Sequence, residues 1–96
     1  MIRFEWDDKK NVLNIMKHGI DFHEAVTVFL DEDGLIINDP EHSEKEERFI
    51  IIGVSNKGNI LIVCHCYREN DEVIRLISAR KATKRETKQY LERIGL

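Results

Sequence analysis

The sequence predicts an α+β domain: two N-terminal helices packed on a curled antiparallel sheet of about four to five strands, with a C-terminal helix beyond it. Three observations carry this. Two helical patterns with their own stop and start signals occupy residues 7–30. Four β-branched segments joined by short turns follow, and a capping box then opens a last amphipathic stretch. At 96 residues the chain has room for one modest core, so a single domain is expected over residues 1–96.

Residues 2–6 read as a short strand. Asp7 offers an N-cap to a helix whose apolar positions are Val12, Leu13, Ile15 and Met16. Gly19 ends it, because glycine adopts the left-handed conformation at C′ without steric cost. Lys17 and His18 stand in the last turn, where positive charge complements the free carbonyls. Asp21 and Glu24 have capping-box spacing, with Ile20 and Ala25 placed as the staple around it. Phe22, Ala25, Val26, Phe29 and Leu30 then fall on one apolar face of a second helix, which the acidic run Asp31-Glu32-Asp33-Gly34 breaks.

Strands are expected at about 35–38, 48–55, 59–68 and 73–80. They are joined by the charged loop DPEHSEKEE, an Asn56-Lys57-Gly58 turn and a turn at 69–72. Such short turns make neighbours antiparallel. Thr83 with Glu86 is another capping box, and Thr87, Tyr90, Leu91 and Ile94 supply the buried stripe of the last helix.

The composition is that of a folded soluble protein, and the longest apolar runs, 49–52 and 60–64, are far short of a membrane span. The N-terminus has no apolar signal segment, so a cytoplasmic location and no membrane partner are expected. Charge is segregated along the chain. Residues 1–47 hold 5 Lys/Arg against 13 Asp/Glu, a net −8, and residues 48–96 hold 10 against 5, a net +5. The basic half suits a polyanion or an acidic partner, although the solvated face of a terminal helix would look the same.

Several chemistries find little support. Cys64 and Cys66 are too few for a disulfide framework, and two thiolates two apart on a strand are awkward for one tetrahedral zinc, so neither metal nor cofactor is expected. No serine or cysteine stands at a nucleophile elbow or helix N-terminus, and the 5 glycines are dispersed rather than gathered in a phosphate loop. A set of cations at element ends remains: Lys17, His18, Arg68, Arg75, Arg80 and Lys81, with Lys84, Arg85 and Lys88 on the last helix.

That set suits RNA cleavage without metal. A base frees the 2′-OH, Arg or Lys stabilises charge on the phosphorane, and an acid protonates the leaving 5′-oxygen. Arginine fits the middle role because its planar fork matches phosphate oxygens. His18 can serve as acid or base, since an unperturbed imidazole titrates at about 6.5, though a basic residue at a helix C-terminus is also ordinary capping. Arg75 and Arg80 differ in strand parity, so a regular strand points them to opposite faces. One is then structural, paired with an acid such as Glu47, unless a bulge re-aims the strand end.

Read together, FEWDDKKNVLNIMKHGIDFHEAVTVFLD, DPEHSEKEERFIIIG and RLISARKATKRE resemble the BrnT family of bacterial type II toxin-antitoxin toxins. The similarity runs from Phe4 to about Tyr90 and is most specific at FEWD, at KHG with Phe22 and Ala25, and at ISARKA. It implies a RelE-like fold and a ribonuclease that arrests translation. It also implies neutralisation by a BrnA-type ribbon-helix-helix antitoxin, in a heterotetramer that reaches operator DNA only through the antitoxin. The family's basic positions correspond to Lys17, His18, Arg68, Arg75 and Arg80, and Glu47-Arg48 matches an acidic-basic pair. Lys81, Lys84, Arg85 and Lys88 are read as RNA-binding, and Trp6, Asp7, Gly19, Phe22, Thr83 and Glu86 as packing and capping residues. The chain departs from the pattern at Glu32-Asp33-Gly34, Leu76 and Cys64-His65-Cys66. The rival reading is a non-catalytic relative that acts as a binding module and co-repressor with its antitoxin.

Overall fold

The computed structural model describes residues 1–39, 41, 43 and 45–96; Pro40, His42 and Glu44 of the charged loop lie outside the described residues. In chain order the elements are β1 (Arg3–Glu5), α1 (Asp8–His18), α2 (Phe22–Thr27) with a 3-10 turn (Val28–Leu30), β2 (Leu35–Asn38), β3 (Phe49–Val54), β4 (Ile60–Arg68), β5 (Val73–Lys81) and α3 (Lys84–Arg93). Among the described residues the strands form one sheet in the order β1-β5-β4-β3-β2. The pairings β2–β3, β3–β4 and β4–β5 are antiparallel, as short turns require. β1 instead runs parallel to β5, so the sheet is mixed. No helix among the described residues is long and apolar enough to cross a membrane.

One sheet face carries the core, in which Ile51, Leu61, Val63, Leu76 and Ala79 meet Ile20, Phe22, Ala25 and Val28, with Trp6 and Phe29 packed against them. Both members of the Ile20/Ala25 staple are thus buried. Trp6 meets Phe22 edge-on at 6.0 Å and His23 at 4.9 Å, so it serves as packing.

The helix ends follow their sequence signals. Asp7 caps α1 through the Lys9 amide, and Gly19 closes it at φ 73°. Thr83 and Glu86 form the reciprocal capping box of α3. Asp21 caps α2 through the His23 amide, but Glu24 does not reach back to complete a box. Its carboxylate instead accepts from Ser55 Oγ at 2.6 Å and Asn59 Nδ2 at 2.8 Å, which ties α2 to the β3–β4 turn.

Two expectations about the helices are corrected. The second apolar stretch leaves the α-helix after Thr27 and tightens into a 3-10 turn, which swings Leu30 out to solvent. On α1 the apolar side chains Val12, Leu13, Ile15 and Met16 are all exposed, and the buried positions are Asn11 and Asn14. The reason is the edge of β5. β1 pairs with β5 only at Val73, Ile74 and Arg75, and beyond it the Asn14 amide acts as a substitute strand. Asn14 Oδ1 accepts from the Ala79 N–H at 3.0 Å, while Nδ2 donates to the Ala79 carbonyl at 2.8 Å and to the Ile20 carbonyl at 2.9 Å. Asn11 completes the junction by accepting from the Phe22 amide at 2.8 Å and donating to Asp21 at 3.1 Å.

Removing the Asn14 amide strands buried backbone groups, so Asn14→Ala should cost about 3 kcal/mol in urea denaturation. Met16→Ser should stay within about 0.5 kcal/mol of wild type. Equal losses for the two variants would contradict this account of α1.

Candidate active site: arginines on the open sheet face

Cross-strand partners share a face, so register decides where the arginines stand. On the face opposite the core, Ile62 pairs with Arg80 and Cys64 with Ser78. The register then slips, His65 opposes Leu76, and Cys66 opposes Arg75. Ile77 is the extra residue of a β-bulge, and it reverses the parity of everything before it. Arg75 and Arg80 therefore share one face, with Arg68, two residues after Cys66, and Arg48, two before Ile50. α3 covers one half of this face, where Tyr90 lies over the isoleucines of β3 and β4. Arg48, Arg68 and Arg75 occupy the other half, and Arg80 stands at its border with α3.

Their convergence shows at Cys66. Burial pushes this thiol up, and Glu46 pushes it further, while Arg68, Arg48 and Arg75 all act on it in the opposite sense. Burial likewise raises Cys64, to about 11. Both cysteines are buried, so neither is a ready thiolate.

Each arginine holds a carboxylate, and those of Arg68, Arg75 and Arg80 come from other elements. Arg68 binds Glu46 at 2.9 Å, and Arg48 reaches the same carboxylate at 3.7 Å. Arg75 binds Glu5 of β1 at 2.8 Å, a different partner from the Glu47 suggested by sequence. Arg80 binds both oxygens of Glu86, at 2.8 and 3.0 Å. The hydrogen bond from Arg80 holds Glu86 far below the ordinary carboxylate range, at about 2, although burial opposes it. The Glu5 hydrogen bond raises Arg75, as Glu86 raises Arg80. Arg48 Nε is buried with no hydrogen-bond partner among the described residues.

The other candidates lie apart from this cluster. Lys17 and His18 end α1, one turn past the Asn14–Ala79 contact and hence near the strand that carries Arg80. Among the described residues neither side chain bonds an arginine. Lys81 ends β5, and Lys84, Arg85 and Lys88 lie exposed on α3, where Lys88 approaches Glu92 at 3.8 Å. Glu46 joins the cluster without having been singled out in the sequence, and Arg48 joins it from the Glu47-Arg48 pair. The signal available was the Glu46-Glu47-Arg48 run immediately before a strand.

A family model described as "Ribonuclease toxin, BrnT, of type II toxin-antitoxin system" matches residues 6–86. The chain belongs to the BrnT family of ribonuclease toxins. A crystal structure of the Brucella abortus ribonuclease toxin, BrnT, is similar to it at TM-score 0.67 and 26% identity, over 88% of this chain and 100% of that one. No curated protein matches. Membership of a type II toxin family implies an antitoxin partner for this BrnT chain.

The low carboxyl of Glu86 sets a pH dependence. Its folded pKa of about 2 lies below the ordinary 4.5, so the stability it contributes is complete above about 4.5 and is lost as pH falls towards 2. Glu86→Gln, which keeps the capping geometry, should be less stable than wild type near neutrality, and the gap should close near pH 2. A gap that does not vary with pH would exclude the Arg80 pairing as its source.

Proposed function

We propose that this BrnT chain is a metal-independent endoribonuclease that cleaves RNA in the RelE-like manner and thereby inhibits translation. In this reading a BrnA-type ribbon-helix-helix antitoxin neutralises it in a heterotetramer, and operator DNA is reached only through that partner. The observation that carries the reading is the bulge at Ile77, which gathers Arg75, Arg68, Arg48 and Arg80 on one partly open face. Arg68, Arg75 and Arg48 hold the scissile phosphate and stabilise charge on the phosphorane, displacing Glu46 and Glu5 as they do so. Arg80 adds charge at the far side of the same face. Lys17 and His18 take the proton transfers; their support is the position of the α1 C-terminus beside the β5 segment that carries Arg80. Lys81, Lys84, Arg85 and Lys88 guide the RNA backbone.

One observation favours a second reading, a non-catalytic co-repressor: in the unliganded chain every one of these arginines already has a carboxylate partner. Purified protein incubated with naked RNA and a chelator decides between them. Cleavage should proceed, and Arg75→Ala or Arg68→Ala should lower kcat/KM about a hundredfold while circular dichroism stays native. Intact RNA in the wild-type reaction would leave the co-repressor reading, and full activity in both variants would overturn the roles given to Arg75 and Arg68.

A further inference from the structure

We infer that the cleft at the end of β3 and β4 is a nucleobase pocket that prefers guanine. The inference rests on the ribonuclease reading for its ligand class, RNA, and adds a base specificity to it. The cleft measures about 460 Å³, within the range of small-molecule sites, and its walls include Phe49, Tyr67, Arg68, Glu46, Glu47 and Asp71.

Phe49 and Tyr67 are both half-buried, and their rings meet at 5.2 Å and 68°. His65 fixes them from behind. It is fully buried, lies 5.3 Å from Tyr67 and 6.2 Å from Phe49 between ring centroids, and is hydrogen-bonded to the Val63 carbonyl and the Tyr67 hydroxyl. Burial keeps this imidazole below its ordinary pKa and so neutral, which suits a packing role. Aromatic rings immobilised in this way form a stacking platform that loses little freedom when a base arrives.

The charge of the cleft selects a base over a phosphate. Among the described residues three carboxylates and one guanidinium line it, and Arg68 is already matched with Glu46. Glu47 has one oxygen engaged, accepting from Asn38 at 3.2 Å, and the Asp71 carboxylate makes no hydrogen bond among the described residues. Glu47 and Asp71 thus offer carboxylate acceptors to a ligand, with Arg68 as the cationic donor at the rim. Guanine alone among the four bases presents two adjacent N–H donors, N1–H and the N2 amino group, which match the two oxygens of one carboxylate. Adenine and cytosine present only the amino donor on that edge, and uracil a single imide N–H. Arg68 stands at the boundary, so a guanine in the cleft would place its phosphate beside Arg68, Arg48 and Arg75.

The test titrates guanosine, adenosine, cytidine and uridine 3′-monophosphates into the full chain by calorimetry and repeats this with Asp71→Asn, Glu47→Gln and Tyr67→Leu. Guanosine 3′-monophosphate should bind about tenfold tighter than the other three. At least one carboxylate variant should bring that ratio below about threefold, and Tyr67→Leu should weaken all four nucleotides about tenfold. Equal affinity for the four, no binding of any, or a guanine preference untouched by both carboxylate variants would overturn the pocket. Cleavage assays separate this from the enzymatic reading: guanine-selective binding without RNA cleavage removes only the latter, and cleavage without base preference removes only the pocket.

Discussion

The three hydrogen bonds of one side chain, Asn14, organise the fold around the candidate site. β5 has a strand neighbour on its outer side for only three residues, and an open edge beyond that point would leave backbone groups unpaired and available to another chain. The Asn14 amide presents a donor and an acceptor in the geometry of a peptide unit, so a helix completes the edge that a strand would otherwise have to cover. The same Nδ2 binds the Ile20 carbonyl, which locks the turn between α1 and α2 to the sheet. A helix docked through asparagines must turn its apolar residues elsewhere, and this is why Val12, Leu13, Ile15 and Met16 face solvent. The contact also fixes where Lys17 and His18 stand relative to β5.

What the sequence disclosed follows the range of the interactions. Strand positions, the caps at Asp7, Gly19 and Thr83 and the Ile20/Ala25 staple depend on residues a few positions apart, and the structure reproduces them. The misread features depend on distant partners. Asn14 binds a residue 65 positions away, and Glu24 binds residues 31 and 35 away, so the apolar positions of α1 are not its buried face and the capping box that Asp21 and Glu24 suggest for α2 is only half formed. The parallel pairing of β1 has no turn to announce it, because its partner lies at the other end of the chain. The site was legible as an inventory of arginines but not as an arrangement. The bulged residue is Ile77, a β-branched side chain inside an apolar strand, and nothing local marks it as the place where parity reverses.

The carboxylates opposite the arginines explain how such a face exists without a ligand. Four guanidinium groups on one side of a small sheet repel one another, and two unit charges 4 Å apart interact by about 4 kcal/mol near a protein surface. Glu46, Glu5 and Glu86 neutralise that repulsion from three separate elements. Partly exposed ion pairs contribute little to stability, typically about 0–1 kcal/mol, so an incoming phosphate has little to displace. Neutralised arginines and the proposed phosphate binding are therefore compatible.

The pairs are not equivalent, and the difference distributes the roles. Glu86 gives both oxygens to Arg80, accepts the Thr83 amide of the capping box, and comes from the helix that closes half of the face. Releasing Arg80 would therefore loosen the first turn of α3 as well as break an ion pair. Glu5 lies on a three-residue edge strand and offers Arg75 one hydrogen bond, and Glu46 belongs to the charged loop and is shared between Arg68 and Arg48. Those two carboxylates are the easier to exchange for phosphate oxygens. On the proposed reading the phosphate contacts therefore fall to Arg68, Arg75 and Arg48 around Cys66, while Arg80, paired with Glu86, anchors α3 to β5.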